Sequence, residues 1–282
     1  MLDKSKTYLI VGLGLLGGRY AQVLSSHGYH VTGIARSRET IDYALQHEYI
    51  AEGATENFDA LVTGADCIIF GLYPTVLLEW VKQYGHLIQP GTMVTDVSGV
   101  KRGVVEPVQA ALPEGAEFIA SHPMAGREFS GLDFALPTLF DGASMIFVPT
   151  KSSTERVLEQ LEVYFMSLGF GQTVRCTAEQ HDHMIAFTSQ LAHVVSSAYI
   201  KSPEADKHNG YSAGSYKDLT RVAKLNETMW SELFLCNAEP LAAEIDEIIK
   251  HLDEYRRAIR AGDRETLTEL LREGRIRKEN LG

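Results

Sequence analysis

Gly12-Leu13-Gly14-Leu15-Leu16-Gly17 follows directly on the apolar run Tyr8-Leu9-Ile10-Val11. Three glycines at this spacing, between a strand and a helix, form a cradle for a diphosphate. Gly12 permits a tight turn, Gly14 lets the backbone approach the phosphates, and Gly17 lets helix and strand pack closely. The first N–H groups of the helix, beginning at Leu15 and Leu16, then face the anion. The alternative is a glycine-rich turn with no ligand. A helical pattern over Gly17–His27 and a second strand at His30–Ala35 favour the cradle, and with it a dinucleotide.

The end of that second strand selects between cofactors. An NAD site places Asp or Glu there to hold the ribose hydroxyls. Here Ala35 occupies the acidic position, followed by Arg36, Ser37 and Arg38. These are charge-assisted donors for a 2′-phosphate, so NADP is favoured and NAD is the alternative. The contrary reading makes Arg36 and Arg38 solvated helix-start residues beside Glu39. Pro74, just beyond the strand Cys67–Gly71, is grouped with the cofactor-side residues.

A second cluster carries proton chemistry. Thr95-Asp96-Val97-Ser98-Gly99-Val100-Lys101 closes one strand pattern, and Ser121-His122-Pro123-Met124-Ala125-Gly126-Arg127-Glu128 closes another. Strand C-termini face the ligand crevice in a doubly wound sheet. An imidazole there, with an ordinary pKa near 6.5, serves as a base at neutral pH. Taken alone, His122 is equally readable as a hydrogen-bonded structural histidine.

These residues need a frame that gathers strand ends. Short apolar runs at Thr7–Val11, His30–Ala35, Cys67–Gly71, Met93–Thr95, Phe118–Ala120 and Met145–Pro149 alternate with helical patterns. Strands apolar nearly throughout are covered on both faces, which predicts an α/β, Rossmann-type, doubly wound, mostly parallel sheet. From about Ala178 the strand signal ends. Helical patterns follow at Ala178–Ile200, Lys217–Leu225, Met229–Lys250 with Pro240 interrupting, His251–Ala261 and Arg264–Gly274. The expected organisation is a dinucleotide-binding domain over residues 1–175 and an all-α helical domain for substrate binding and dimerisation over 176–282.

At about 100° per residue, Asp182, Ser189 and His193 fall within roughly 40° of one another on the first of these helices. Met184, Phe187, Leu191, Val195 and Ala198 take the opposite side, which predicts a core stripe there and a cleft wall on the polar line.

The 282 residues carry 26 Lys and Arg against 37 Asp and Glu, a net charge of −11. That balance repels a phosphate backbone, so nucleic acid is not an expected partner. No apolar run approaches the ~18 residues of a membrane span, and the polar start, Met1 to Lys6, is unlike a signal peptide. Cys67, Cys176 and Cys236 show no metal or redox spacing. They are expected as buried free thiols of a cytoplasmic protein, with no metal.

The motifs run in a recognisable order. They are the glycine loop, Asp96–Lys101, His122-Pro123-Met124-Ala125-Gly126, Ser130-Gly131 and Leu139-Phe140-Asp141-Gly142-Ala143, then His181-Asp182, Ser189 with His193, Lys217-Asp218-Leu219-Thr220-Arg221 and Met229-Trp230. Over nearly its whole length the chain resembles the prephenate/arogenate dehydrogenase family. That resemblance implies an NAD(P)-dependent oxidative decarboxylation, of prephenate to 4-hydroxyphenylpyruvate or of arogenate to tyrosine. It also implies a small anionic substrate and a homodimer built through the helical half. His122 corresponds to the family's catalytic histidine, which is hydrogen-bonded to the substrate hydroxyl, and Arg221 to the arginine that binds a substrate carboxylate. His193 and Ser189 match residues lining the substrate site, and Trp230 a pocket aromatic. Lys217 and Asp182 either join them or organise the helical domain.

Two positions depart from the family pattern. Gly99 stands where the family's Asp-x-Gly-Ser-Val-Lys motif has a serine that supports the histidine or the substrate hydroxyl. Ser98 is the adjacent substitute, although neighbouring extended residues point opposite ways, and a water is the other. Ser189-Gln190-Leu191-Ala192-His193 replaces the family's Ser-His-Leu-Pro-His. Because the chain ends soon after its last helical pattern, no C-terminal regulatory domain is expected, and any feedback by tyrosine would act in the active site.

Two rival readings remain open at this level. One is a 3-hydroxy-acid dehydrogenase relying on Lys217, which leaves the His122 run unexplained. The other is a dinucleotide-sensing module that binds cofactor without turnover.

Overall fold

The computed structural model describes residues 4–126, 131–134 and 138–281. Eight strands form one sheet in the order β3-β2-β1-β4-β5-β6-β7-β8. They are β1 (Thr7–Val11), β2 (His30–Ile34), β3 (Glu52–Ala54), β4 (Cys67–Phe70), β5 (Met93–Asp96), β6 (Glu117–Pro123), β7 (Ser144–Pro149) and β8 (Gln172–Arg175). The first six pair in parallel, β7 runs antiparallel to β6, and β8 is parallel to β7. Chain order reverses between β1 and β4, which puts the crevice of a Rossmann sheet at their carboxyl ends.

Alternation along β1 shows why an unbroken apolar strand is needed. Tyr8 and Ile10 enter the core on one face of the sheet, and Leu9 and Val11 enter the core on the other. Helices α1 (Leu15–Ser26), α2 (Arg38–Gln46), α3 (Asp59–Thr63), α4 (Pro74–Tyr84), α5 (Val105–Ala111) and α6 (Glu155–Ser167) lie along the sheet's crossovers and edges. The two short strands β3 and β8 lack a usable apolar run, so periodicity did not reveal them.

A capping box starts the helical half immediately after β8. The Thr177 hydroxyl accepts the Gln180 N–H at 3.1 Å, and the Gln180 side chain accepts the Thr177 N–H at 3.0 Å. This T-x-x-Q signature stops the strand and launches α7 (Ala178–Ile185). A π-helical turn, Ala186–Gln190, joins α7 to α8 (Leu191–Tyr199). Then come α9 (Gly214–Thr220), α10 (Glu227–Cys236), α11 (Ala238–Ala261) and α12 (Arg264–Leu281). Helix α11 runs unbroken through residues 250–251. The break lies at Asn237, not at Pro240, because Pro240 sits within the first turn of α11, where a missing N–H costs nothing. Gly262, at φ 65°, ends the helix in the left-handed conformation that glycine adopts without strain.

Two expectations are corrected here. The α7–α8 face expected as core is so only in part: Leu191 is buried and Val195 packs beside it, but Met184 and Phe187 are each 57% exposed and Ala198 is exposed, while His181, Asp182 and Gln190 are buried. The π turn is one cause, since its i→i+5 bonding shifts the angular register that a constant 100° step assumes. The other is the thinness of this half's own core, whose fully buried members are Ala186, Leu191 and Leu241. The thiols also differ from expectation. All three are free, but only Cys67 is buried; Cys176 is half-buried and Cys236 exposed. Among the described residues, no helix is long and apolar enough to cross a membrane.

Candidate active site

The glycine loop spans β1 and α1 as a tightly packed turn. Gly12 has φ 97°, and a Cβ on it would meet the Gly71 carbonyl oxygen at 2.6 Å. A Cβ on Gly17 would lie 2.0 Å from the Gly12 carbonyl oxygen, so neither position accepts a side chain. Gly14 differs: nothing lies within 4 Å of where its Cβ would be. The α1 N-terminus carries no side-chain cap and no acidic residue in its first turn. Its leading N–H groups, at Leu15 and Leu16, are therefore open to an anion in front of Gly14, and these residues fit a diphosphate.

At the end of β2, the Ala35 N–H donates to the Ala54 carbonyl, and this strand end bears a methyl group rather than a carboxylate. Arg36 is exposed and has no ion pair among the described residues. The Ser37 hydroxyl is occupied as the cap of α2, accepting the Thr40 N–H. Arg38 makes an exposed ion pair along α2 with Asp42 at 2.9 Å. Pro74 is the buried first residue of α4.

Beyond β5 the chain builds a buried polar knot. The Lys101 ammonium donates to both oxygens of Asp96, at 2.9 and 2.7 Å, and to the Ser121 carbonyl at 2.7 Å. Both charged side chains are completely buried. The Ser98 N–H and the Ser121 N–H add donors to the same carboxylate. Burial pushes the Lys101 pKa down from its ordinary value, although Asp96 opposes the shift. The Ser98 hydroxyl is consumed within this knot, donating to the Val100 carbonyl at 3.2 Å. Ser98 therefore does not substitute for the family's serine beside the histidine.

His122 stands one residue before the end of β6, paired with Ile146 of β7. Its Nδ1 lies 2.8 Å from Nε2 of His181 on α7. The His181 Nδ1 lies 2.6 Å from Asp182 Oδ1, and both of those side chains are fully buried. Burial comes first in lowering the His122 pKa well below 6.5, followed by the neighbouring His181 and Lys101. Opposite the ring, a Cβ on Gly99 would lie 3.9 Å from His122 Nε2 and 3.7 Å from Leu233 of α10. Gly99 thus leaves a gap beside the one imidazole nitrogen not engaged with His181.

The helical half closes over this edge of the sheet through specific bonds. Asp182 Oδ1 and Oδ2 accept the backbone N–H groups of Lys101 and Arg102, each at 2.8 Å. Asn237 donates to the Asp182 carbonyl and to Gln190, and Gln190 donates to the Leu233 carbonyl. Glu232 of α10 accepts the Thr75 N–H at the start of α4, where the helix dipole favours a carboxylate.

Of the other expected site residues, His193 and Trp230 come together, with ring centroids 3.8 Å apart and edge-on. Ser189 is half-buried within the π turn. Arg221 opens the 3₁₀ turn Arg221–Ala223, which packs against α8. Lys217 is exposed on α9 and belongs to no part of the knot. Arg127, Glu128 and Ser130 lie outside the described residues. The expectations missed His181 as the partner of His122, and Asp96 and Lys101 as a buried pair. Only the adjacency His181-Asp182 hinted at the first; nothing local signals a contact spanning 59 residues.

Comparison with known proteins follows the same division. Residues 20–171 match the family model described as prephenate dehydrogenase, nucleotide-binding domain, and residues 177–273 match the one described as prephenate dehydrogenase, dimerization domain. The chain is 28% identical over 275 residues to the prephenate dehydrogenase of Bacillus subtilis, covering 95% of this chain and 74% of that one. The crystal structure of prephenate dehydrogenase from A. aeolicus in complex with hydroxyphenyl propionate and NAD+ matches with a TM-score of 0.87 at 28% identity, over 98% of each chain. Synechocystis arogenate dehydrogenase matches with a TM-score of 0.81 at 25% identity, over 98% of this chain and 100% of that one.

Proposed function

The chain belongs to the prephenate dehydrogenase family of oxidoreductases, and from that premise we propose that it converts prephenate to 4-hydroxyphenylpyruvate with NADP as the preferred cofactor. The observation that carries this reading is His122. It sits at a strand end on the crevice side of the sheet, held by His181 on one nitrogen and facing a gap at Gly99 with the other. Two relatives named for prephenate match at 28% identity, against 25% for the one named for arogenate, which supports prephenate as the substrate.

The cofactor, when bound, supplies the hydride acceptor, and its diphosphate would be held by Gly12, Gly14, Leu15, Leu16 and Gly17. The substrate's C4–H electron pair leaves as hydride while His122 Nε2 takes the 4-hydroxyl proton. The C1–carboxylate bond then breaks. Its electron pair completes the aromatic ring, carbon dioxide departs, and the proton held at His122 returns to the phenol oxygen. Atoms and charge balance with no net proton. Arg221 holds a substrate carboxylate, for which a planar guanidinium supplies paired donors. His193, Ser189 and Trp230 line the ring's pocket. Ser98 has no part in the chemistry, and Lys217 lies at the periphery.

NADP is supported by Ala35, which leaves no carboxylate to repel a 2′-phosphate, and by the exposed Arg36 beside it. Ala35→Asp is expected to lower kcat/KM with NADP by roughly 10-fold or more relative to NAD. An unaltered ratio would show that this loop does not read the 2′ position.

The gap at Gly99 also yields a test. Gly99→Ser introduces a Cβ with no contact closer than 3.7 Å, so the variant folds. Its hydroxyl reaches to within about 3 Å of His122 Nε2. Turnover is expected to rise, by about 2- to 10-fold, as the hydroxyl organises the proton transfer. A fall in kcat would mean that the gap is filled by the substrate itself.

The helical half supports a homodimer. Met184, Phe187, Leu252 and Ile259 are all more than half exposed, and a thin core of this kind is completed by a second copy. We place the domain boundary at 175/176, between β8 and the Thr177 cap. The overall proposal is tested by mixing the protein with prephenate or arogenate and either dinucleotide and following reduced nicotinamide. Turnover with prephenate and NADP is expected; no reduction with either substrate would overturn it.

A further inference from the structure

We propose that His181 is a positioning residue that fixes the tautomer of His122, and that Asp182 locks this arrangement only when the two halves of the chain are seated together. The inference rests on the reading of His122 as the proton acceptor.

The geometry dictates the protons. Asp182 Oδ1 has no hydrogen of its own and lies 2.6 Å from His181 Nδ1, so that nitrogen carries the proton and donates it. A neutral His181 then has a lone pair at Nε2. That nitrogen is 2.8 Å from His122 Nδ1, so His122 Nδ1 is the donor in turn. The remaining nitrogen, His122 Nε2, is left with a lone pair directed toward the gap beside Gly99. Reversing the order needs either a proton on Asp182, whose oxygens already accept two backbone N–H groups, or a charged His181, which its burial opposes. Each reversed state is costly in a buried site.

The same chain of bonds answers the charge that catalysis creates. When His122 Nε2 accepts a proton, the ring becomes an imidazolium whose Nδ1–H already points at His181. The Asp182 carboxylate lies beyond, one ring away. It opposes the unfavourable field of Lys101.

Asp182 also joins the two halves of the chain. Its two oxygens accept the N–H groups of Lys101 and Arg102, which belong to the loop after β5. The carboxylate sits on α7 of the helical half, while His122 sits on β6 of the sheet. Correct protonation of the base is therefore tied to closure of the helical half onto the sheet. Asp182 would serve the fold alone if it lacked the His181 bond, and the His181 side chain would be mere packing if it lacked the bond to His122. The structure has both.

The test pairs His181→Leu, which keeps volume but removes the acceptor, with His181→Gln, whose amide oxygen restores one. His181→Leu is expected to lower kcat by at least about 10-fold while the KM for dinucleotide stays within about two-fold. His181→Gln is expected to recover most of the loss. Nitrogen NMR of histidine-labelled protein should show His122 protonated at Nδ1 in the wild type and a mixture of tautomers in His181→Leu. A His181→Leu enzyme within two-fold of wild type, or a wild-type His122 protonated at Nε2, overturns the proposal. If His181→Leu fails to fold, the wild-type spectrum and His181→Gln still decide it. The spectrum does not depend on turnover, so a wild type inactive on both substrates would reject the functional reading and leave this one separately decided.

Discussion

His122→Asn is expected to cut turnover by roughly 100-fold or more while dinucleotide affinity stays within about two-fold. Asparagine keeps a donor able to reach His181 Nε2, so the knot behind the histidine is preserved. What is lost is the nitrogen facing Gly99, the only atom of the residue placed to take a proton from a ligand in the crevice. The glycine cradle belongs to β1 and α1 and is untouched. The wild type should show a matching pH profile. Burial, His181 and Lys101 all push the His122 pKa below 6.5, and the groups facing it from other elements are His181 of α7 and Lys101 of the β5 loop, with Asp96 and Asp182 behind them. The imidazole is therefore neutral, and competent as a base, throughout the neutral range. On this basis kcat/KM should rise with pH along a limb lying below 6.5 and be flat from there to about pH 8. Steady-state kinetics of both proteins across that range check the two statements together. Retained activity in the variant, or a limb centred above 6.5, would show that another group accepts the proton.

Lys101→Met is expected to destabilise the protein by about 3–5 kcal/mol, because it leaves Asp96 as an uncompensated charge at zero exposure. For a chain of this size that corresponds to a fall in Tm on the order of 10 °C. The Ser98 and Ser121 N–H groups continue to serve Asp96, which keeps the cost from being larger. The double variant Asp96→Asn with Lys101→Met should regain a substantial part of the loss, since it removes the stranded charge. Any folded fraction of Lys101→Met should also show its pH limb shifted upward, because the cation that holds the His122 pKa down has gone. Thermal denaturation and the pH profile read these effects separately. A Tm within about 2 °C of wild type would mean that the ammonium is not what stabilises the carboxylate.

Which parts of this site were legible in the sequence follows from how far apart its members lie along the chain. The glycine loop needs only residues 8–18, and its requirements are local: a left-handed turn at Gly12 and contacts too close for a side chain at Gly17. The alternation of apolar runs and helices, and the stacking of β1, β2, β4, β5 and β6, follow from strands that must be covered on both faces. The strand end alone left His122 equally readable as a structural histidine, and the family resemblance is what singled it out. The error at Ser98 was also local. Adjacency suggested a substitute for the missing serine, but the knot around Asp96 had already engaged that hydroxyl with Val100.

The helical half resisted the same treatment. A constant angular step assigned Met184 and Phe187 to a core and Asp182 to a cleft wall, whereas the π turn and a thin core left the apolar pair outside and buried the carboxylate. Cys236, expected inside, is exposed for the same reason: α10 and its neighbours do not enclose a full core of their own.

The sheet and the diphosphate cradle could be read along the chain, because each depends on periodicity or on steric limits within a few residues; His122 entered as the candidate proton acceptor through the family resemblance. Which nitrogen of His122 faces His181, why Lys101 lies buried, and how Asp182 ties the two halves came from the folded chain. Those depend on hydrogen bonds spanning 59 and 81 residues for the His122–His181 and Lys101–Asp182 contacts. A buried polar group must find a partner somewhere, and pattern along the chain cannot say where.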